Sequence, residues 1–139
     1  MKIEWHRCMS YDDAKNYTRV IYLHEWDGKP FYWGMVNNSY FGGHKRKRGE
    51  DEITGRYANG YRHWIEGCLR HGARLYIGVL DADSVARLKD VEAYLIERFP
   101  SAMNSDKPAV RGRFDLWHSG DVPLSVLVNA LHPALPRPY

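Results

Sequence analysis

The chain has 139 residues, 44% of them hydrophobic and 27% charged. This is ordinary composition for one globular domain, which excludes a collagen, a coiled coil or a disordered chain as its main character. Twenty Lys and Arg stand against seventeen Asp and Glu, a net charge of +3, too mild a balance to demand a nucleic-acid partner by itself.

Residues 1–17 are polar and mixed and read as a short lead-in. Over 18–26, TRVIYLHEW, the alternation predicts a strand with Val20, Tyr22, His24 and Trp26 on one face and Arg19, Ile21 and Leu23 on the other. Asp27-Gly28 is a hairpin signal, and 30–36, PFYWGMV, is the returning strand. Residues 37–55 read as a long loop carrying the basic run His44, Lys45, Arg46, Lys47 and Arg48, followed by Glu50, Asp51 and Glu52. Such a run suits a phosphate backbone, or equally a solvated loop with its own counter-charges.

Tyr61, Trp64, Ile65, Cys68 and Leu69 recur at helical spacing, so a helix is expected over 60–71, stopped by Gly72. Residues 73–80 predict a mostly buried strand. A second helix over 83–99 is expected to be capped by Asp83 or Ser84 and ended by Pro100. A loop over 101–108, a strand over 110–117, a short helix over 123–131 and a Pro-rich tail complete the chain. The expected class is α+β, with a small, largely antiparallel three-stranded sheet flanked by helices in a single domain, 1–139.

No apolar run reaches the roughly 20 residues of a membrane span. The opening MKIEWHRCMS holds no apolar stretch of signal-peptide length, so a cytoplasmic location without a membrane is expected. Cys8 and Cys68, sixty residues apart, fit neither a disulfide framework nor a zinc motif, and both are expected to be reduced. The histidines show no metal-ligand spacing.

One acid breaks the pattern of the second helix. Val85, Leu88, Ile96 and Phe99 form one stripe, and Glu92 falls inside it. A carboxylate there is costly unless it is paired or metal-bound. An Arg from the preceding helix would pair it; otherwise it is free to be a ligand.

Taken in order, these residues resemble the GIY-YIG nuclease family. Its first motif corresponds to Val20-Ile21-Tyr22 and its second to Tyr32-Trp33-Gly34, with the tyrosines ten residues apart across a hairpin. Val20 replaces the family's first glycine and Trp33 its middle isoleucine. The metal-binding glutamate of a later helix corresponds to Glu92, followed by Pro100 and Asn104. The match spans about residues 18–108, leaving 109–139 as a C-terminal extension. Tyr76-Ile77-Gly78 spells the second motif literally, but it lies only sixteen residues before Glu92, too close to hold the helix and strand between.

The resemblance implies a metal-dependent endonuclease acting on double-stranded DNA, or a nucleic-acid-binding module that keeps the fold without cutting. It implies that Glu92 holds one Mg2+ or Mn2+, that Tyr22 and Tyr32 orient the attacking water, and that Asn104 orients substrate or a neighbouring side chain. A phenol ordinarily titrates near 10, so orientation is a safer role for a tyrosine than proton removal. The family's arginine clamp is assigned to Arg56, with His63 or Tyr61 beside it, while Arg62 and the 44–48 run would contact backbone phosphates. Selectivity would come from the 37–55 loop, the tail, a homodimer or a protein partner. Both tyrosines must also share one face of the sheet. A strict two-residue turn would put them on opposite faces, so a three-residue loop, Trp26-Asp27-Gly28, or an equivalent bulge is expected.

Overall fold

The computed structural model describes residues 1–42, 44–47, 50–53, 62–104 and 108–131. Arg48 and Arg56 lie outside them, as does Tyr61. The class is α+β, with strands β1 (Lys2–Cys8), β2 (Thr18–Trp26), β3 (Lys29–Tyr40), β4 (His44–Lys47), β5 (Glu50–Ile53), β6 (Arg74–Leu80) and β7 (Trp117–Gly120). The helices are α1 (Tyr11–Ala14), α2 (Arg62–Arg70), α3 (Leu88–Arg98) and α4 (Leu124–Leu131). Among the described residues no helix is long and apolar enough to cross a membrane.

The sheet is larger than the expected three antiparallel strands. β3, β2, β6, β1 and β7 lie side by side in that order, antiparallel except for the parallel β1–β7 pair, and the β4–β5 hairpin continues from β3. Four strands account for the difference, β4 and β5 from the stretch expected as a loop and β1 and β7 at the other side. β1 comes from the stretch expected as a lead-in, and there Ile3 and Trp5 are fully buried. β7 begins where the expected 110–117 strand ends; residues 108–116 form no regular element.

Tyrosine-bearing β2 is the central strand of the β3-β2-β6 trio, and it separates two cores. Ile21, Leu23 and Trp33 join Ile3, Trp5 and Tyr76 against Leu88, Val91 and Leu95 of α3, with Val126 of α4 in the same cluster. On the other face Val20, Leu75 and Ile77 pack with Cys8, Tyr11, Ala14 and Ile65, and Tyr22 lies against them. Apolar residues on both sides of each central strand explain the short continuous apolar runs in the sequence.

The 83–99 segment starts as a 3-10 turn over Val85–Arg87 before α3 begins, and neither Ser84 nor Arg87 supplies a side-chain cap. Ser84 instead belongs to a small network around Asp81, whose carboxylate also accepts from the Lys2 N–H at 3.0 Å. Gly72, at φ +98, stops α2 as expected.

The C-terminal segment is integrated into the fold. Glu25 is 1% exposed, and its Oε2 accepts the Ser125 backbone N–H at 2.8 Å and the Ser125 hydroxyl at 2.7 Å. A carboxylate at that position satisfies an amide of the first turn of α4 and complements the positive end of its dipole.

Candidate functional site

The hairpin carries the first functional feature. Asp27 (φ +55) and Gly28 (φ +73) form a two-residue turn, pairing Trp26 with Lys29. Left alone, that register would place Tyr22 and Tyr32 on opposite faces. It is broken between His24 and Glu25: Glu25 pairs with Pro30 and His24 with Tyr32, so Phe31 is the extra residue of a β-bulge. The expected bulge is therefore the device used, rather than the three-residue loop. Tyr22 and Tyr32 share a face, with ring centroids 6.1 Å apart.

Tyr22 sits opposite Gly34, and a Cβ built on Gly34 would overlap the phenol ring. The Tyr22 ring therefore lies across the backbone of β3, toward its outer edge. This is the physical reason for a glycine two residues after Tyr32. Phe41 meets the Tyr22 ring edge-on at 4.9 Å, and His24 does so at 5.6 Å.

The same edge of β3 is pinned by the loop after α3. The Trp33 N–H donates to Asn104 Oδ1 at 2.9 Å, and Asn104 Nδ2 donates to the Trp33 carbonyl at 2.9 Å. The Met103 N–H donates to the Phe31 carbonyl at 3.0 Å, and Ser101 donates its hydroxyl to Asn104. Asn104 thus stands in for a neighbouring strand, and its amide is spent on Trp33 rather than presented to a ligand.

Glu92 is not on the tyrosines' face. α3 packs beneath Leu23 and Trp33, on the opposite side of the sheet. Tyr22, Tyr32 and Glu92 therefore do not form a site on one face of the sheet. What these elements share is the outer edge of β3. Leu88 and Lys89 line a cleft with Met35 and Asn37. Ala93 and Ile96 line another with Ser101 and Asn104. Glu92 lies one helical turn from both Leu88 and Ile96, between these clefts.

The Glu92 carboxyl is half-buried, and burial raises its pKa above the usual carboxylate value, with Lys89 opposing the shift. The arginine partner considered from sequence is absent among the described residues, whose ion pairs involve Glu4, Asp12, Glu66 and Asp90 instead. No three His, Cys, Asp or Glu side chains among them form a metal-binding group. A lone desolvated carboxylate still fits a hard divalent cation that keeps most of its waters.

The other expected residues are placed differently. Arg62 lies 3.6 Å from Glu66 and stacks its guanidinium 5.3 Å over the Tyr11 ring, so it braces α2 against α1. His63 is exposed on α2. Neither is joined to the tyrosine pair by a hydrogen bond or ring contact among the described residues. The 37–55 stretch is not one loop: β3 runs on to Tyr40, and the basic run opens β4. The β4–β5 register sets Lys45 opposite Glu52, Arg46 opposite Asp51 and Lys47 opposite Glu50, with His44 opposite Ile53. Opposed opposite charges stabilise a hairpin, and they lower the field the run presents to a phosphate backbone.

Sequence reasoning missed His24. It is 1% exposed, and its Nε2 has no hydrogen-bond partner among the described residues. Burial lowers its pKa from 6.5 to about 4. The unfolded chain therefore binds a proton that the folded one refuses between pH 6.5 and 4, and stability falls as pH drops through that window. We expect about 2 kcal/mol to be lost between pH 8 and pH 5. A His24→Phe variant should lack this component in urea unfolding at the two pH values; an identical acid loss in wild type and variant would refute it.

Comparison with protein-family models, with curated proteins and with solved structures finds no match.

Proposed function

We propose that the chain is a divalent-metal-dependent endonuclease that hydrolyses phosphodiester bonds in DNA across the outer edge of β3. The observation that carries this reading is the Tyr22–Gly34–Tyr32 arrangement. A bulge brings the tyrosines into phase, and the glycine makes room for the first ring at the edge along which α3 and Asn104 also lie. Core filling alone needs neither the glycine nor the bulge. The desolvated Glu92, without an ion pair among the described residues, adds support, since such carboxyls concentrate at functional sites.

In this reading Tyr22 and Tyr32 orient the attacking water through their hydroxyls. Asn104 holds the strand that carries Tyr32 and Gly34, a positioning role. Arg56 clamps the scissile phosphate through paired N–H donors. Glu92 holds Mg2+ or Mn2+. Such an ion, when bound, supplies Lewis-acid neutralisation of phosphate charge. The reading is tested by incubating supercoiled plasmid with the protein and Mg2+, with and without chelator. Chelator-sensitive nicking or linearisation is expected, and intact plasmid at stoichiometric protein would overturn the nuclease.

A non-cleaving nucleic-acid-binding module is the second reading. It is favoured by one observation, that Glu92 rises from the face opposite the tyrosines. Both readings expect phosphate contacts from Lys45, Arg46, Lys47 and Arg48. Replacing all four with Ala is expected to weaken binding and to flatten its salt dependence by about 1–2 in log–log slope. At about 0.9 per contact this is fewer than four contacts, because three of the four residues face acids in the register. An unchanged slope would assign the run to hairpin stability alone.

A further inference from the structure

The bulge at Phe31 has a second result. It turns an extra aromatic residue onto the face of Tyr22, Tyr32 and His24. Phe31 then bridges Trp26 at 5.8 Å and Trp64 of α2 at 6.1 Å, nearly parallel to the latter at 22°. Trp64 rests edge-on against His24 at 4.9 Å, and His24 in turn adjoins Tyr32 at 6.3 Å and Tyr22 at 5.6 Å. One aromatic strip therefore runs from the hairpin tip to the tyrosine pair. Its outer members stay in water, Trp26 at 42% and Trp64 at 39% exposed. Single exposed aromatics are unremarkable on a protein surface; a contiguous row is not.

We propose that Trp26, Phe31 and Trp64 form a stacking surface for unpaired bases of a nucleic-acid strand running from the tyrosine pair toward the hairpin tip. This rests on the nucleic-acid reading above. Two features choose that occupant over an apolar peptide. The strip is continuous with the tyrosine pair, so a strand whose phosphate lies there carries its neighbouring bases onto it. The rim is also cationic. Lys29 pairs with Trp26 on the strip's own face, whereas Arg74 pairs with Glu25 on the opposite one. Exposed Arg70 ends α2, the helix that carries Trp64, and exposed His71 follows it. Asp27 is the exposed acid at the hairpin tip. Base–aromatic stacking tolerates any sequence because every base has a π-face.

The test is fluorescence anisotropy with a labelled oligo-dT and with a blunt duplex of equal length, for wild type, Trp26→Ala and Trp26→Phe. Trp26 is chosen because it is the outermost ring, and chemical unfolding confirms that each variant is folded. Trp26→Ala is expected to weaken single-strand binding about 10-fold. Duplex affinity should change less than twofold, and Trp26→Phe should recover most of the loss. If wild type binds both probes and Trp26→Ala binds them equally well, the stacking surface is refuted while the nucleic-acid reading stands. Parallel loss on both probes refutes it in favour of a general backbone contact. If wild type binds neither probe, both readings fail. A proline-rich peptide that binds through Trp26 when neither oligonucleotide does overturns the proposal in favour of a peptide groove.

Discussion

Replacing Glu92 with Gln is expected to reduce plasmid cleavage at least about 1000-fold while the protein remains folded. The carboxylate is the acid within the apolar stripe of α3, while Glu97 lines the cleft beside Asn104, and no group of three ligating side chains forms among the described residues. Losing a ligand that holds the catalytic cation removes several kcal/mol of charge stabilisation, and about 1.4 kcal/mol is tenfold in rate. The same substitution should stabilise the fold near neutral pH. The carboxyl's pKa lies above its ordinary 4.5 in the folded state. The folded chain therefore binds the proton more tightly than the unfolded one, and stability falls as pH rises from 4.5 through the raised value. The neutral amide escapes that loss, so the variant's advantage should appear at pH 7 and vanish below pH 4.5. Full cleavage at matched Mg2+ would remove Glu92 from the site. Inactivity with unchanged stability at both pH values would remove the desolvation argument.

Gly34→Ala is expected to cost about 3 kcal/mol and to lower cleavage at least about 100-fold. The new methyl would occupy the volume of the Tyr22 ring. That ring is in contact with Phe41, His24 and Tyr32, so displacing it disturbs three neighbours. Either the ring rotates out of place or β3 moves away from β2. A double-mutant cycle separates this from a backbone effect. In a Tyr22→Ala background the ring is gone, so Gly34→Ala should be nearly neutral. If it costs the same in both backgrounds, the socket explanation fails.

Several parts of the fold were legible because they carry a period. The alternation in TRVIYLHEW, the i, i+3, i+4 spacing before Gly72 and the Asp-Gly turn each have one physical reading, and β2, α2 and the hairpin follow from them. β1 also alternates, but Glu4, His6 and Arg7 dilute it to Ile3, Trp5 and Cys8. β7 has no apolar pattern; its place comes from backbone pairing with β1. The β4–β5 hairpin lacks a hydrophobic signal altogether. Its legible sign was the complementarity of HKRK with EDEI around a glycine, which read more simply as a loop with counter-charges.

At the site, the odd acid on α3 and the need for a bulge were visible from residue periods. Which face α3 would cover was not, since a helix's own spacing does not say which side of a sheet it takes. His24 alternates with Val20 and Tyr22, but that alternation does not say how deeply its face is covered. Asn104 looked like a ligand-orienting side chain because backbone pairing by an amide leaves no trace in sequence.

The order in which the strands sit has a bearing on synthesis. β1, made first, is flanked by β6 and by β7, whose residues come more than a hundred positions later. The Glu25–Ser125 contact likewise joins residues 100 positions apart. A nascent chain that has extruded everything through β6 still has its first strand unpaired along one edge. That edge offers open amides and carbonyls to other chains. Completion of the sheet is thus a late event governed by long-range closure, which predicts slow folding for so small a protein. It also predicts that chains cut before β7 aggregate through the edge that β7 normally covers.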